Sequence, residues 1–277
     1  MARLLFDRVR KEFDAGARRI RAIDEVSLEI PDGTFASLVG PSGCGKTTLL
    51  NLVAGFETPT AGRVCVDARE VRDPGPDRGV VFQEPGLFPW LRVHENVGFP
   101  LRVRGMAAGA RQDRVRAILE QVGLGPFAGC YPAELSGGMR QRVAIARVLA
   151  MYPAVLLMDE PFAALDVQTR DLMQEFLMRL LEERGKTVLF ITHDIQEAVF
   201  LADRVYIISA RPGRVKEILD VPLPRPRAVD CKFLPAFHEI VDRAYKVVRE
   251  EAIKAMAMSE AAEGGEGKGG ARQGKGS

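Results

Sequence analysis

The sequence predicts an α/β fold: a core built on a mainly parallel sheet, an antiparallel β lobe at the N-terminus and a helical lobe set into the middle. Three observations predict it. Short runs dominated by apolar residues at 35–39, 155–158 and 188–192, each followed by a loop, have the character of parallel strands buried on both faces. Val26, Leu28 and Ile30 repeat with period two before Pro31-Asp32-Gly33, a half-buried strand meeting a tight turn. Residues 111–124 (RQDRVRAILEQVGL) put Val115, Ile118, Leu119 and Val122 on one helical stripe, with Gly123 as a stop. The apolar runs are assigned to the central sheet, the period-two stretch to the β lobe and the stripe to the helical lobe. Towards the end Phe237, Ile240, Val241, Ala244 and Val248 keep helical spacing to about Ala257, after which Gly, Lys and Glu dominate. The chain is therefore expected to divide into a main domain over 1–225 with its helical lobe at about 90–150, a helical extension over 226–258 and a disordered Gly-rich tail over 259–277. No internal repeat is found.

Composition narrows the function classes. A length of 277 residues suits one large domain with sub-lobes. Lys and Arg number 39 against 37 Asp and Glu, a net charge of only +2, so the balance does not suggest a nucleic-acid partner. The cysteines, Cys44, Cys65, Cys130 and Cys231, lie far apart with no CxxC pair and no His at metal-ligand spacing, which fits a reducing cytoplasm. Charges interrupt MARLLFDRVRKEF where a secretory leader needs an apolar stretch. Apolar runs such as 154–158 fall far short of the roughly 20 residues that span a bilayer, so any membrane link is expected to come through a partner.

The chemistry begins at residues 40–48. Gly40, Pro41, Ser42, Gly43, Cys44, Gly45, Lys46, Thr47 and Thr48 satisfy G-x-x-x-x-G-K-[ST], placed after the strand FASLV and before the helix-like KTTLLNLVAG. In that context the glycines let backbone N–H groups turn inward around phosphate oxygens, and the following helix aims its positive end at the same anion. Lys46 is expected to neutralise β and γ phosphates, and the Thr47 hydroxyl to ligate Mg²⁺. A second element, VLLMDEP at 155–161, delivers two acids to the C-terminal edge of a buried strand, where ligands bind in open α/β sheets. Asp159 is expected to hold Mg²⁺, and Glu160 to polarise the attacking water as general base.

A further string, LSGGMRQRVAIAR at 135–147, follows Lys46 by about 90 residues and precedes the Asp159 strand. It resembles the signature sequence of the ABC ATPases, and Gln83 in VVFQEP, Asp166 in AALD, His193 in ITHD and Phe13 ahead of the first strand pair stand where that family has its other elements. The resemblance covers roughly residues 3–220 and implies a P-loop NTPase, RecA-like core with the β lobe and a helical signature lobe. It implies ATP and Mg²⁺ as ligands. It also implies a head-to-tail dimer of two copies, ATP bound at Lys46 of one being sealed by Ser136, Gly137 and Gly138 of the other. Physically, Ser136 before two glycines is an N-cap and a bare helix start, a second anion-binding end. By the same resemblance His193 contacts the γ-phosphate and holds water with Glu160, Gln83 senses Mg²⁺ and water, Asp166 ties the two sites together and Phe13 stacks on adenine. On pattern alone Phe13 fits an ordinary strand aromatic equally well. Met139, where many members have Gln, and Ala163, where Ser often stands, depart from the commonest pattern without removing a phosphate ligand.

Residues 84–101, the LSGGM form and SARPGRV at 209–215 resemble the nitrate, sulfonate and taurine importer ATPases. That implies a subunit on the cytoplasmic face of the membrane that drives uptake of a small anion through an integral-membrane permease, supplied indirectly by an extracytoplasmic binding protein. The alternative is an ABC ATPase energising another transporter class or acting away from transport. A DNA-repair or chromosome ATPase would need a coiled coil before the signature, a translation factor two cassettes, and a P-loop kinase or GTPase has no use for LSGGM. Two residues stand out within these motifs. Cys44, beside Lys46 and a helix start, is placed for a lowered thiol pKa, or equally for a small inert filler of a tight turn. Behind the strand at 79–82 and Gln83, the segment EPGLFPW carries Leu87, Phe88 and Trp90, which either anchor the core or await a partner; the partner reading is favoured.

Overall fold

The computed structural model describes residues 2–16, 18–182 and 185–266. A four-stranded antiparallel sheet, ordered β2-β1-β4-β5, joins β1 (Leu4–Ala15), β2 (Arg18–Ile30), β4 (Ala61–Val66) and β5 (Arg69–Glu70). A six-stranded sheet, ordered β10-β9-β3-β8-β7-β6, holds β3 (Phe35–Val39), β6 (Arg78–Val81), β7 (Val155–Asp159), β8 (Thr187–Ile191), β9 (Arg204–Ile208) and β10 (Val215–Asp220). All pairings are parallel except the edge pair β9/β10. The mixed sheet, antiparallel lobe and helices agree with the predicted class. Phe13 lies within β1, paired with Ile20 of β2, and not ahead of the first strand pair.

Why the central strands read as unbroken apolar runs is visible in their two faces. Successive side chains point oppositely, so Ala36, Leu38, Leu157, Leu189, Ile191 and Tyr206 join one core with the β lobe and α1 (Lys46–Ala54). Phe35, Val39, Leu156, Met158, Phe190 and Ile207 join the other, shared with α2 (Val93–Val103), α3 (Ala108–Gln121), α4 (Gly137–Leu149), α5 (Val167–Glu182), α6 (Ile195–Leu201) and α7 (Pro235–Glu266). The Tyr206 hydroxyl donates to the Glu29 carbonyl at 2.9 Å, fastening one sheet to the other.

In the helical lobe, α3 buries Val115, Ile118 and Leu119 as the stripe predicts, and Gly123 follows at φ 69°. The C-terminal helix differs from expectation. It buries Phe237 and Ala244 but runs on to Glu266, so residues 259–266 are helical; the rest of the expected tail, 267–277, lies outside the described residues. Among the described residues no helix is long and apolar enough to cross a membrane.

Candidate functional site

The C-terminal edge of the parallel sheet gathers the sequence-predicted residues. β3 ends at Val39, and residues 40–45 loop into α1, whose N-cap Gly45 sits at φ 104° with no side-chain cap. That left-handed turn suits glycine, and an uncapped first turn leaves its N–H groups for an anion. Lys46 is only 7% exposed and curls over the loop, its Nζ donating to the carbonyls of Gly40 at 2.9 Å and Pro41 at 3.1 Å. Cys44 corrects the expectation of a reactive thiol. It is 1% exposed, and burial pushes its pKa up despite Lys46 Nζ 3.8 Å from Sγ, so the small-filler alternative holds.

Two strand ends bring the acids and the histidine. Thr47 Oγ1 donates to Asp159 Oδ1 at 3.4 Å, and burial raises the Asp159 pKa, partly opposed by that hydrogen bond. Glu160 follows at φ 46°, a left-handed backbone that costs a residue of this kind about 1–2 kcal/mol. Its N–H is tied to the Ile191 carbonyl at 2.9 Å, and surroundings that over-determine such a conformation are what let it persist. The turn aims the carboxylate at the end of β8, where His193 Nδ1 lies 3.0 Å from Glu160 Oε2 while the ring stays 64% exposed.

Of these groups Lys46, Thr47, Glu160 and His193 wall a cavity of about 560 Å³, while Gly40, Pro41, Cys44 and Asp159 lie outside its lining. The β1/β2 hairpin supplies Phe13, Ile20 and Ala22; the loop and α1 supply Ser42, Gly43, Gly45, Lys46, Thr47 and Thr48; Glu160, His193 and Arg211 complete it. An apolar hairpin wall with a cationic, N–H-rich loop fits a nucleotide's base and phosphates. For a divalent ion the donors are hard oxygens, the Thr47 hydroxyl and the Asp159 carboxylate. No group of three or more His, Cys, Asp or Glu able to hold a metal occurs among the described residues. Two such oxygens from Thr47 and Asp159 suit Mg²⁺, which takes one or two protein oxygens and fills its shell with water and phosphate. Ile20 and Ala22 escaped sequence reasoning, and Arg211 was noted only within SARPGRV, with no role at the site; hairpin pairing and the turn after β9 bring them to the cavity.

The remaining predicted residues stand apart. Ser136 is the N-cap of α4, its hydroxyl accepting from Met139 N at 3.3 Å, with Gly137 and Gly138 opening the helix. Asp166 caps α5, accepting from Thr169 N at 3.0 Å; that hydrogen bond holds its carboxyl below the ordinary range. Gln83 is exposed after β6. None of Ser136, Gly137, Gly138, Asp166 and Gln83 lines the cavity.

Behind Gln83, the segment 84–90 is pinned from two sides. Arg147 donates to the carbonyls of Gly86 at 2.8 Å and Pro85 at 2.9 Å. Buried Asn96 of α2 accepts from Phe88 N at 2.9 Å and donates to the carbonyl of Leu91, also at 2.9 Å. Trp90 is left 71% exposed against Phe88, so it is not a core anchor.

A sequence model described as ABC transporter matches residues 23–163. An uncharacterised ABC transporter ATP-binding protein of Methanocaldococcus jannaschii is 45% identical over 92% of this chain and 94% of its own length. A nitrate import ATP-binding protein of Synechocystis is 47% identical, covering 82% of this chain and 88% of the relative. A taurine import ATP-binding protein of Rhizobium johnstonii is 51% identical, covering 75% and 79%. Among solved structures, a dimeric post-hydrolysis ATP-binding cassette bound to ADP and Pi superposes with a TM-score of 0.69 at 36% identity, covering 80% of this chain and all of that one.

Proposed function

The chain belongs to the ABC transporter family and is an ATPase, and from that premise we propose that it powers uptake of a small anion such as nitrate, taurine or an aliphatic sulfonate through a separate integral-membrane permease. The observation that carries the reading is the division of labour within one chain: a walled phosphate cradle at α1, and a second, Ser136-capped and glycine-opened helix start at α4 outside it.

Lys46 and the first-turn N–H groups of α1 hold the phosphates, and Thr47 and Asp159 hold Mg²⁺, which when bound neutralises phosphate charge. Glu160 accepts the proton of the attacking water, with His193 at its side to steady the γ-phosphate. Ser136, Gly137 and Gly138 of a second copy, placed head to tail, close the open side of the cradle, and Asp166 at the start of α5 joins the two sites. Phe13 faces the adenine. Gln83 links the cradle to the pinned segment 84–90, where Trp90 receives the permease; the relatives named for nitrate and taurine import support this direction of transport. The permease holds the subunit at the cytoplasmic face, and an extracytoplasmic binding protein supplies the anion to it.

The test is uptake by vesicles reconstituted with a candidate permease, offered nitrate, taurine and aliphatic sulfonates in turn. Trp90→Ala should keep the melting temperature of the isolated subunit yet weaken assembly, since one aromatic seated in a partner's groove is worth about 2 kcal/mol or more. Unchanged assembly and uptake in that variant would remove Trp90 from the docking surface. ATP-driven uptake of none of these anions would reject the substrate class.

A further inference from the structure

The turn after β9 touches the nucleotide cavity from one side and the C-terminal helix from the other. Arg211 is exposed, lines the cavity, and donates from Nε to the carbonyl of Gly43 at 3.3 Å. One of its five donors is spent on the phosphate loop; the others remain on a planar cation beside the cradle.

The turn itself is fixed at several points. Gly213 N–H donates to the Ala22 carbonyl at 2.8 Å, and Asp24 N–H to the Gly213 carbonyl at 3.0 Å, which seats the turn on the hairpin strand that walls the cavity. A Cβ on Gly213 would collide with the Cys44 carbonyl, so the turn presses directly on the phosphate loop. Arg214 pairs with the buried Asp24. The last restraint comes from α7. Glu251 is 3% exposed, and its Oε2 accepts from the backbone N–H of Ala210, the residue before Arg211, at 3.0 Å. Lys254 at 2.6 Å and Lys216 at 3.5 Å neutralise the other carboxylate oxygen. A buried carboxylate on a backbone N–H is a strong, charge-assisted tie, and here it is the link from the C-terminal extension to the residue at the cavity wall.

We propose that Arg211 is a nucleotide-binding residue that contacts the phosphate chain of ATP and ADP, and that Glu251 is its positioning residue, so that α7 sets nucleotide affinity from outside the cavity. The inference rests on the nucleotide reading of that cavity and adds to it a cation and a lever that lie outside the phosphate-loop, acidic and signature motifs.

The experiment is titration calorimetry of MgADP with the full chain, together with melting temperature and the KM and kcat of ATP hydrolysis. Arg211→Ala should weaken ADP binding about 10-fold or more, the usual size of a lost hydrogen bond to a charged group, and Arg211→Lys should recover part of it. Glu251→Asp keeps the charge but is too short for the Ala210 N–H, so it should raise KM and Kd several-fold while kcat holds. Glu251→Gln keeps an acceptor and should bind like wild type. Because Glu251 acts through Arg211, the Arg211→Ala/Glu251→Asp double variant should bind no more weakly than Arg211→Ala alone. Wild-type affinity in Arg211→Ala would overturn the contact. A lower melting temperature without a change in Kd in Glu251→Asp, or additive losses in the double variant, would overturn the lever. A wild-type chain that binds neither ADP nor ATP would instead defeat the reading of the cavity itself.

Discussion

The starts of α1 and α4 are both glycine-flanked helix ends, yet they are finished differently. At α1 the N-cap is Gly45 in the left-handed region, with no side chain on the first-turn N–H groups and cavity walls around it. At α4 the N-cap is Ser136, whose hydroxyl already satisfies Met139 N, and no wall of the cavity comes from it. A helix end with open donors and walls is a binding site; a capped end on the surface is stable by itself and available to a second molecule. The contrast fits chemistry at α1 and underlies the proposal that α4 serves the site of another copy.

The largest effect should come from the cradle side. Glu160→Gln should cut ATP turnover by about 10²–10⁴ while leaving ATP affinity intact, because the base is removed and the phosphate contacts are not. Near wild-type multi-turnover hydrolysis would erase Glu160 from the mechanism. A smaller effect separates two cysteines near the two helix starts. Cys44 is sealed beside Lys46, whereas Cys130, on the approach to α4, is half-buried. Since the thiolate is the reactive form and a sealed thiol is reached slowly, iodoacetamide followed by peptide mapping should modify Cys130 faster than Cys44. Equal rates would mean that the loop at α1 opens readily in solution.

The smallest effect is in pH dependence, where two carboxylates shift in opposite senses. Asp159 is raised by burial, so without nucleotide or Mg²⁺ the folded chain holds that proton more tightly than the unfolded one. Stability from this group therefore falls as pH rises from the ordinary carboxylate value through the raised one. Asp166 is lowered by its cap, so its contribution is present above the ordinary value and is lost as pH falls through the lowered one. Melting curves against pH should lose the first decline in Asp159→Asn and the second in Asp166→Asn. Identical profiles in both variants would contradict the assignment.

How much of this was legible in sequence depended on whether local chemistry or long-range pairing set the residue's place. The buried parallel strands β3, β7 and β8 and the α3 stripe read correctly because burial on two faces, or on one helical face, writes itself into spacing. β1 did not, since register shifts between Phe6 and Val9 and again before Lys11 break the period of two that its buried Leu4, Phe6 and Val9 would otherwise show. The phosphate loop announced Lys46 and Thr47, but the depth of Cys44 depends on packing around the loop, which a motif does not encode. Arg211 reached the cavity only through the pairing of its turn with Ala22 and Asp24, far away in sequence.

If the two helix starts meet across copies of the chain, the molecular mass of the Glu160→Gln variant will show it. With saturating MgATP that variant should run in light scattering at twice the mass of one chain. Adding Ser136→Glu, which sets a negative charge where the partner's phosphates would lie, should preserve ATP binding and return the mass to that of a single chain. A Glu160→Gln protein that stays single when saturated with MgATP, or a Ser136→Glu variant that pairs equally well, would contradict it.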